Sequence, residues 1–191
     1  MAVESPLCYR FRMAIQVALL RAVNVGGRNL VMTELKAMFE SLAFGQVRTI
    51  LQSGNIVFGS GARTGAALES FLEAETERQF RLRTHYFVRT ADEWNAIIEE
   101  NPFRREAKDD PSHLLVLPLK AAPAGSDVAA LRAAIRGREI IHSSGRHLYA
   151  YYPDGIGESK LTVSLIERKL RTCSTGRNWN TVLKIQAAAA N

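Results

Sequence analysis

The chain of 191 residues repeats one order of predicted secondary structure, namely a strand, a helix, a two-stranded hairpin and a second helix. The first strand is Ala14–Leu20, a short apolar run of the kind found in buried strands. The first hairpin turns at Gln52-Ser53-Gly54-Asn55, where Gly and Asn favour a tight turn. A further strand at residues 84–89 completes the first copy. The order βαββαβ is that of a ferredoxin-like, split β-α-β unit.

The same order begins again after a polar and charged segment that contains Pro102 and Pro111. The segment Ile50–Asn55 also resembles Ile140–Arg146 with one insertion, which favours an internal duplication. We therefore predict an α+β fold of two tandem ferredoxin-like subdomains with antiparallel sheets. The predicted boundaries are a flexible tail at 1–12, a first subdomain at 13–101, a linker at 102–112 and a second subdomain at 113–191. Met13 is a plausible alternative start.

Composition and charge narrow the class of protein. The chain is 47% hydrophobic and 23% charged, which is typical of a folded globular protein. No apolar run approaches the roughly 20 residues that span a bilayer, and residues 1–12 lack the order of a signal peptide. The two cysteines form neither a metal motif nor a CxxC pair, as expected in a reducing compartment. We therefore expect a cytoplasmic protein with no membrane partner.

The net charge of +6 is unevenly distributed along the chain. Residues 13–101 carry a net charge of −1, residues 102–191 carry +6 and the tail carries +1. Such asymmetry is compatible with an anionic small molecule or a nucleic acid as partner. An ordinary solvated basic surface explains the same distribution.

Several polar segments contain more cations and amides than ordinary loops and turns require. Arginine can bind a carboxylate or phosphate through two parallel hydrogen bonds, and paired glycines permit close approach of a ligand to the backbone. Ser159 is predicted to begin a helix, which places Lys160 in a first turn that favours anions. The candidate ligand-binding residues are Arg21, Asn24, Gly26, Gly27, Gln52, Ser53, Asn55, Lys160, Arg177 and Asn178.

No catalytic motif accompanies these residues. The sequence contains no GxSxG elbow, no HExxH helix, no GxGxxG fingerprint and no Walker A loop. The four histidines lack metal-ligand spacing, and we predict that His142 and His147 are neighbours across the second hairpin. The sequence therefore predicts no metal site, and it leaves the cofactor and any reaction unknown.

Five motifs, in order, resemble the bacterial domain-of-unknown-function 1697 family. They are Leu19-Leu-Arg-Ala-Val-Asn-Val-Gly-Gly27, Gln52-Ser-Gly-Asn55, Asn101-Pro-Phe103, Tyr152-Pro-Asp-Gly-Ile-Gly157 with Ser159-Lys-Leu161, and Arg177-Asn-Trp-Asn-Thr181. Ala22 departs from the glycine that is usual in the family. The resemblance implies two ferredoxin-like subdomains and no established activity, substrate or cofactor.

Three functional hypotheses follow from the residues. In the first, the candidate residues converge on a cleft between the subdomains that binds a small anionic or polar ligand. In the second, the basic half binds nucleic acid, with aromatic side chains such as those of His147–Tyr152 stacking on bases. In the third, the protein is a non-catalytic oligomerising domain whose polar motifs hold the subdomains together. We prefer the first, because cations and amides dominate the segments that turns and packing explain least.

Overall fold

The fold consists of two four-stranded antiparallel sheets with helices on their faces, as seen in a computed structural model that describes residues 13–21 and 30–190. The strands are β1 (Ala14–Leu20), β2 (Gly45–Ile50), β3 (Asn55–Ser60), β4 (Tyr86–Thr90), β5 (Leu114–Pro118), β6 (Ile140–Ser144), β7 (His147–Tyr151) and β8 (Arg177–Asn178). The helices are α1 (Met32–Ser41), α2 (Gly65–Phe80), α3 (Ala91–Glu99), α4 (Arg104–Asp109), α5 (Gly125–Ala134), α6 (Val163–Leu170) and α7 (Trp179–Ala189).

Both sheets have the same topology. Their strand orders are β2-β3-β1-β4 and β6-β7-β5-β8, so the first strand of each half lies inside its sheet, beside the third and fourth. Each half runs βαββαβ and then adds a helix, α3 or α7. The predicted α+β fold with two ferredoxin-like subdomains and antiparallel sheets is confirmed.

Helices cover both faces of each sheet. One face of the first sheet packs against α1 and α2, and the corresponding face of the second packs against α5 and α6. The other faces share one apolar core with α3 and α7, which includes Val17, Phe87, Trp94, Tyr149 and Val182. This central core joins the halves through apolar contacts.

Several details differ from the predictions. The fourth strand of the second half, β8, is only two residues long and carries no periodicity that a sequence could reveal. The predicted linker contains a short helix, α4. The prediction that Ser159 begins a helix is wrong, because α6 begins at Val163 with Thr162 as its N-cap. Lys160 therefore precedes the helix instead of lying in its first turn.

Within the described residues, no helix is long and apolar enough to cross a membrane.

Both tandem halves fit the positions that the duplication predicts, although the short sequence match is misaligned. Residue pairing places Ile50 opposite Asn55 and Ser144 opposite His147, so Ser144 is the structural equivalent of Ile50. The sequence match had aligned Ile50 with Ile140. The repeated topology therefore supports the duplication better than the short match does.

Candidate functional site

Arg177, on β8, lies at the boundary between the halves and reaches into the first half. Its Nε donates to Asn55 Oδ1 over 2.5 Å, and its Nη2 donates to the carbonyls of Leu20 at 3.0 Å and Ser53 at 2.8 Å. Its Nη1 donates to Thr175 Oγ1 and to the carbonyl of Gly176. All five N–H groups of the guanidinium therefore have acceptors. We call this set, Arg177 with Leu20, Ser53 and Asn55, the first junction.

Arg89 makes the equivalent contact in the opposite direction, from the first half into the second. Its Nη2 donates to the carbonyls of Leu119 at 2.9 Å and Arg146 at 2.7 Å. The strand registers make the two arginines equivalent, since Arg89 pairs with Val17 on β1 and Arg177 pairs with Val116 on β5. Each arginine thus joins the fourth strand of its own half to the first strand and hairpin of the other. We call Arg89, Leu119, Arg146 and His147 the second junction.

A second pair of reciprocal contacts flanks the two arginines. Arg21, just after β1, donates to Glu167 on α6 at 2.7 Å. Lys120, which holds the same position after β5, donates to Glu73 on α2 at 2.6 Å and to Glu69 at 2.8 Å. Each half therefore sends one cation from its first strand to a carboxylate on the second helix of its partner half.

The same carboxylates also support the fourth strand of their own half. Glu167 Oε1 accepts the backbone N–H of Ser174 at 2.7 Å, and Glu73 Oε1 accepts that of Tyr86 at 3.0 Å. Ser174 and Tyr86 each lie three residues before the junction arginine. The two halves are therefore related by an approximate two-fold arrangement in their polar contacts as well as in their strand order.

Burial changes the electrostatics of both arginines. Arg177 is 9% exposed and Arg89 is 3% exposed. Loss of hydration lowers the pKa of Arg177 to about 10, and burial together with Arg146 lowers the pKa of Arg89 to about 10. Both side chains remain charged near neutral pH. Arg89 has Glu69 at 3.8 Å, whereas the acceptors of Arg177 are uncharged oxygens.

The two junctions differ at one equivalent position. Asn55 pairs with Leu19 on β1, and His147 pairs with Pro118, the equivalent residue of β5. The Oδ1 of Asn55 accepts from Arg177 and its Nδ2 donates to Ile50 and Ser53. His147, in contrast, is 9% exposed and its Nε2 is buried without a hydrogen-bond partner. The first junction is hydrogen-bonded throughout, while the second has an unsatisfied group at this position.

A cleft of about 230 Å³ lies beside His147, between the two halves. The first half contributes one wall through β4 and α3, and the second half contributes the other through the β6–β7 hairpin. Its lining residues are Arg89, Glu93, Ala96, Ile97, Glu100, Ser144, Gly145, Arg146 and His147. The polar contacts across it are long, at 3.3 Å from Arg146 to Glu93 and 3.4 Å from Ser144 to Glu100. We call it the inter-half cleft.

The imidazole of His147 is neutral in this setting. Its burial, and next the positive charge of Arg89, lower its pKa to about 4, whereas an unperturbed histidine titrates near 6.5. A neutral imidazole has one donor nitrogen and one acceptor nitrogen. His147 can therefore bind an uncharged polar group or orient a ligand without adding charge to the cleft.

Comparison with protein families shows to which family the chain belongs. The family model described as "Protein of unknown function (DUF1697)" matches residues 13–149, which include the β2–β3 hairpin, Arg89 and His147. The chain belongs to the DUF1697 family. The matched segment ends before the motif at Tyr152–Gly157 and before Arg177. A search of curated proteins finds no match.

A solved structure is similar to this DUF1697 protein over most of its length. It is that of a conserved bacterial protein from Streptococcus pneumoniae, with a TM-score of 0.73 and 21% sequence identity. The alignment covers 93% of the present chain and 99% of the pneumococcal one. At this level of identity, the similarity supports the fold alone.

The structure brings together only some of the candidate residues predicted for this DUF1697 protein. Ser53, Asn55 and Arg177 meet at the first junction, where they bind one another and neighbouring groups of the chain. Arg21 lies beside that junction and its side chain binds Glu167 instead. Gln52 is exposed on the same hairpin. Asn24, Gly26 and Gly27 lie outside the described residues.

The two remaining candidate residues of this DUF1697 protein, Asn178 and Lys160, lie in different places and contact different groups. Asn178 is the N-cap of α7, and its Oδ1 accepts from the backbone N–H and the hydroxyl of Thr181. Lys160 lines a different cleft, within the second half, with residues that include Glu139 and Ser159. Lys160 and Arg177 therefore do not share one pocket, although the first hypothesis had placed them together.

The sequence reasoning missed Arg89, Lys120 and His147. The available signal was the duplication itself, since aligning the fourth strands of the two halves would have placed Arg89 opposite Arg177. The sequence did not allow that alignment, because β8 is only two residues long and was not predicted. In the part of the chain that the structure describes, no group of three His, Cys, Asp or Glu side chains could hold a metal ion.

Proposed function

We propose that this DUF1697 protein binds a small polar molecule in the inter-half cleft, with His147 at its inner end. The observation that carries the proposal is the contrast between equivalent positions, because Asn55 is fully hydrogen-bonded and His147 Nε2 is not. Buried polar groups in native proteins almost always have partners, so an exception in a cleft indicates a missing one. Ligand pockets commonly combine such a group with walls from two structural units.

The charges around the cleft favour a neutral or zwitterionic ligand over a strongly anionic one. Arg146 offers a guanidinium on one wall, and Glu100 offers a carboxylate on the other. Their present contacts, at 3.3 and 3.4 Å, are near the long limit for hydrogen bonds and can be exchanged for shorter ones to a ligand. A molecule with an anionic group, a cationic group and an uncharged hydrogen-bonding group would engage Arg146, Glu100 and His147 respectively.

The first junction supports this assignment by having a different role. Its polar groups are already engaged, and they join β8 to the end of β1 and to the β2–β3 hairpin. The polar motifs there hold the halves in register, as the third hypothesis expects of them. The inter-half cleft is then held open by the junctions instead of by the ligand, which favours a largely preformed site.

Nucleic-acid binding has less support. Tyr149 is fully buried and Tyr152 is 2% exposed, so neither ring is available to stack on a base. Both faces of the second sheet are covered by helices or by the central core. A mobility-shift titration at low and high salt would reveal any binding that depends on phosphate contacts alone.

The test is a binding experiment that reads out His147 directly. The full chain is labelled with ¹⁵N on its histidines and titrated with L-glutamine, glucose and citrate as representative zwitterionic, neutral and anionic probes. We expect L-glutamine or glucose to shift the His147 ring resonances at lower concentration than citrate does. A shift only with citrate would contradict the ligand class, and no shift with a broad set of such molecules would contradict the site.

Two variants make the result specific. His147→Asn installs the residue that the first junction uses, and we expect it to retain the fold. We also expect it to abolish the probe-induced thermal shift, which is the rise in melting temperature that a bound probe causes in the unchanged protein. His142→Asn makes the same chemical change on the adjacent strand, at an exposed position outside the cleft lining. Loss of the thermal shift in both variants, or in neither, would show that His147 does not contact the ligand.

A further inference from the structure

A second cleft, of about 180 Å³, lies entirely within the second half. It is formed by the turn that follows α5 and by the glycine-rich segment between β7 and α6. Its lining residues are Arg136, Gly137, Glu139, Tyr152, Asp154, Gly155, Glu158, Ser159 and Lys160. None of them lines the inter-half cleft. We call it the β7–α6 cleft.

Glu139 gives this cleft an unused acceptor. Its Oε1 accepts a hydrogen bond from Ser159 Oγ, while its Oε2 is buried and has no hydrogen-bond partner. The carboxylate packs against Gly137, where an added Cβ would lie 2.5 Å from Oε2. Glycine at 137 therefore makes room for the carboxylate. A carboxylate oxygen in this state is stabilised only when a donor reaches it.

Two cations line the same cleft as that acceptor. Lys160 and Arg136 are both exposed, and neither forms a salt bridge within the described part of the chain. The nearby carboxylate of Asp154 is already paired with Arg138, so it does not compete for them. Glu158 is the remaining charged residue of the lining, and it is exposed.

We infer that the β7–α6 cleft binds a small molecule in which an anionic group lies next to a hydroxyl or amine. The anionic group contacts Lys160 and Arg136, and the hydroxyl or amine donates to Oε2 of Glu139. Charge-assisted hydrogen bonds of both kinds are stronger than neutral ones, so the two ends reinforce each other. This site is independent of the inter-half cleft and of its proposed ligand.

The test uses three probes that separate the two ends of the ligand. Glycerol phosphate has both groups, inorganic phosphate has only the anion, and glycerol has only the hydroxyls. The readout is the backbone amide resonances of Gly155, Gly157 and Ser159 in the full-length protein. We expect glycerol phosphate to bind about tenfold more tightly than phosphate, which corresponds to one charge-assisted hydrogen bond. Glycerol alone should produce no saturable shift.

Variants then assign each end. Lys160→Met should weaken both phosphate and glycerol phosphate, whereas Glu139→Gln should weaken only glycerol phosphate, because it replaces an acceptor with a donor. Gly137→Ala provides a second route to the same result if Glu139→Gln is poorly folded, since its Cβ displaces the carboxylate. Arg168→Met, on the exposed side of α6, is the matched control and should change neither affinity.

The outcomes separate the alternatives clearly. Equal affinity for phosphate and glycerol phosphate, with no effect of Glu139→Gln, would overturn the inference and leave a simple anion site. Absence of shifts at Gly155, Gly157 and Ser159 with every probe would overturn it entirely. Neither result bears on His147, whose resonances report the inter-half cleft separately.

Discussion

Replacement of Arg177 by methionine should destabilise the protein more than any other substitution of a single arginine in the second half. The change removes donors from five acceptors, which are the carbonyls of Leu20, Ser53 and Gly176 together with Asn55 Oδ1 and Thr175 Oγ1. The carbonyl of Leu20 and Asn55 Oδ1 lie at the boundary between the halves, where water cannot easily replace the guanidinium.

The magnitude follows from two opposing effects. Removing one partner of a buried charged hydrogen-bond network typically costs about 3–5 kcal/mol, because the remaining polar groups stay desolvated. Methionine also relieves the cost of burying a charge, which offsets part of that loss. We therefore expect a net loss of about 3 kcal/mol in the free energy of unfolding, a large share of the roughly 5–15 kcal/mol typical of a folded domain.

The assay is urea denaturation at neutral pH, followed by tryptophan fluorescence, because Trp94 and Trp179 both lie in the central core. Arg177→Lys should give an intermediate loss, since an ammonium keeps the charge but has three donors instead of five. Arg168→Met is the control, and we expect it to change stability by no more than about 0.5 kcal/mol. A loss below about 1 kcal/mol for Arg177→Met would refute the structural role of the first junction.

Three further predictions concern the second junction and its surroundings. Lys120→Met should cost about 2 kcal/mol in urea denaturation, because it leaves the carboxylates of Glu69 and Glu73 without their ammonium; a neutral effect would contradict the reciprocal pairing. Thr90→Ala should cost about 1 kcal/mol by removing the capping box of α3, while Thr90→Ser should restore most of it. Lowering the pH from 6.5 towards 4 should destabilise the protein by up to about 3 kcal/mol relative to His147→Asn, because the unfolded imidazole takes up a proton that the buried one does not; parallel pH profiles would refute this.

The pH prediction depends on groups from several elements. The pKa of His147 is lowered by burial first and next by Arg89 on β4, while Glu100, the C-cap residue of α3, raises it and His142 on β6 lowers it further. Stability from the neutral imidazole is complete above pH 6.5 and is lost as the pH falls towards 4. Carboxylates titrate near the lower end of this range, so the comparison with His147→Asn isolates the histidine.

Local patterns predicted much of the fold. The strand β1 has the predicted bounds, because a short apolar run defines it. The capping box at Thr90 was equally visible, since Glu93 lies three residues later. β8 escaped prediction because its two residues are held by pairing with β5 and not by any pattern of their own.

The candidate site was less predictable for a different reason. The sequence identified Arg177 and Asn55 as unusual polar residues, and they do meet. Only the fold shows that their hydrogen-bonding groups are used on each other and on neighbouring groups of the chain. For His147 the opposite was true, since the sequence indicated only an ordinary hairpin residue that lies across from His142. Whether a polar side chain is satisfied depends on groups far away in the chain, so residue type and spacing do not reveal it.

The duplication itself gives the strongest reason to look for function at the second junction. Two halves with the same strand order place equivalent residues in equivalent environments, and each half then serves as the control for the other. At the position of Asn55 the chain contains an amide that completes the network around Arg177, and at the position of His147 it contains an imidazole that does not complete the network around Arg89. An asparagine at 147 would be compatible with the fold, because the first junction already uses one. Leaving the buried nitrogen of His147 unpaired therefore destabilises the protein without any benefit that the fold requires. A ligand that donates a hydrogen bond to this nitrogen, or accepts one from it, supplies the missing contact.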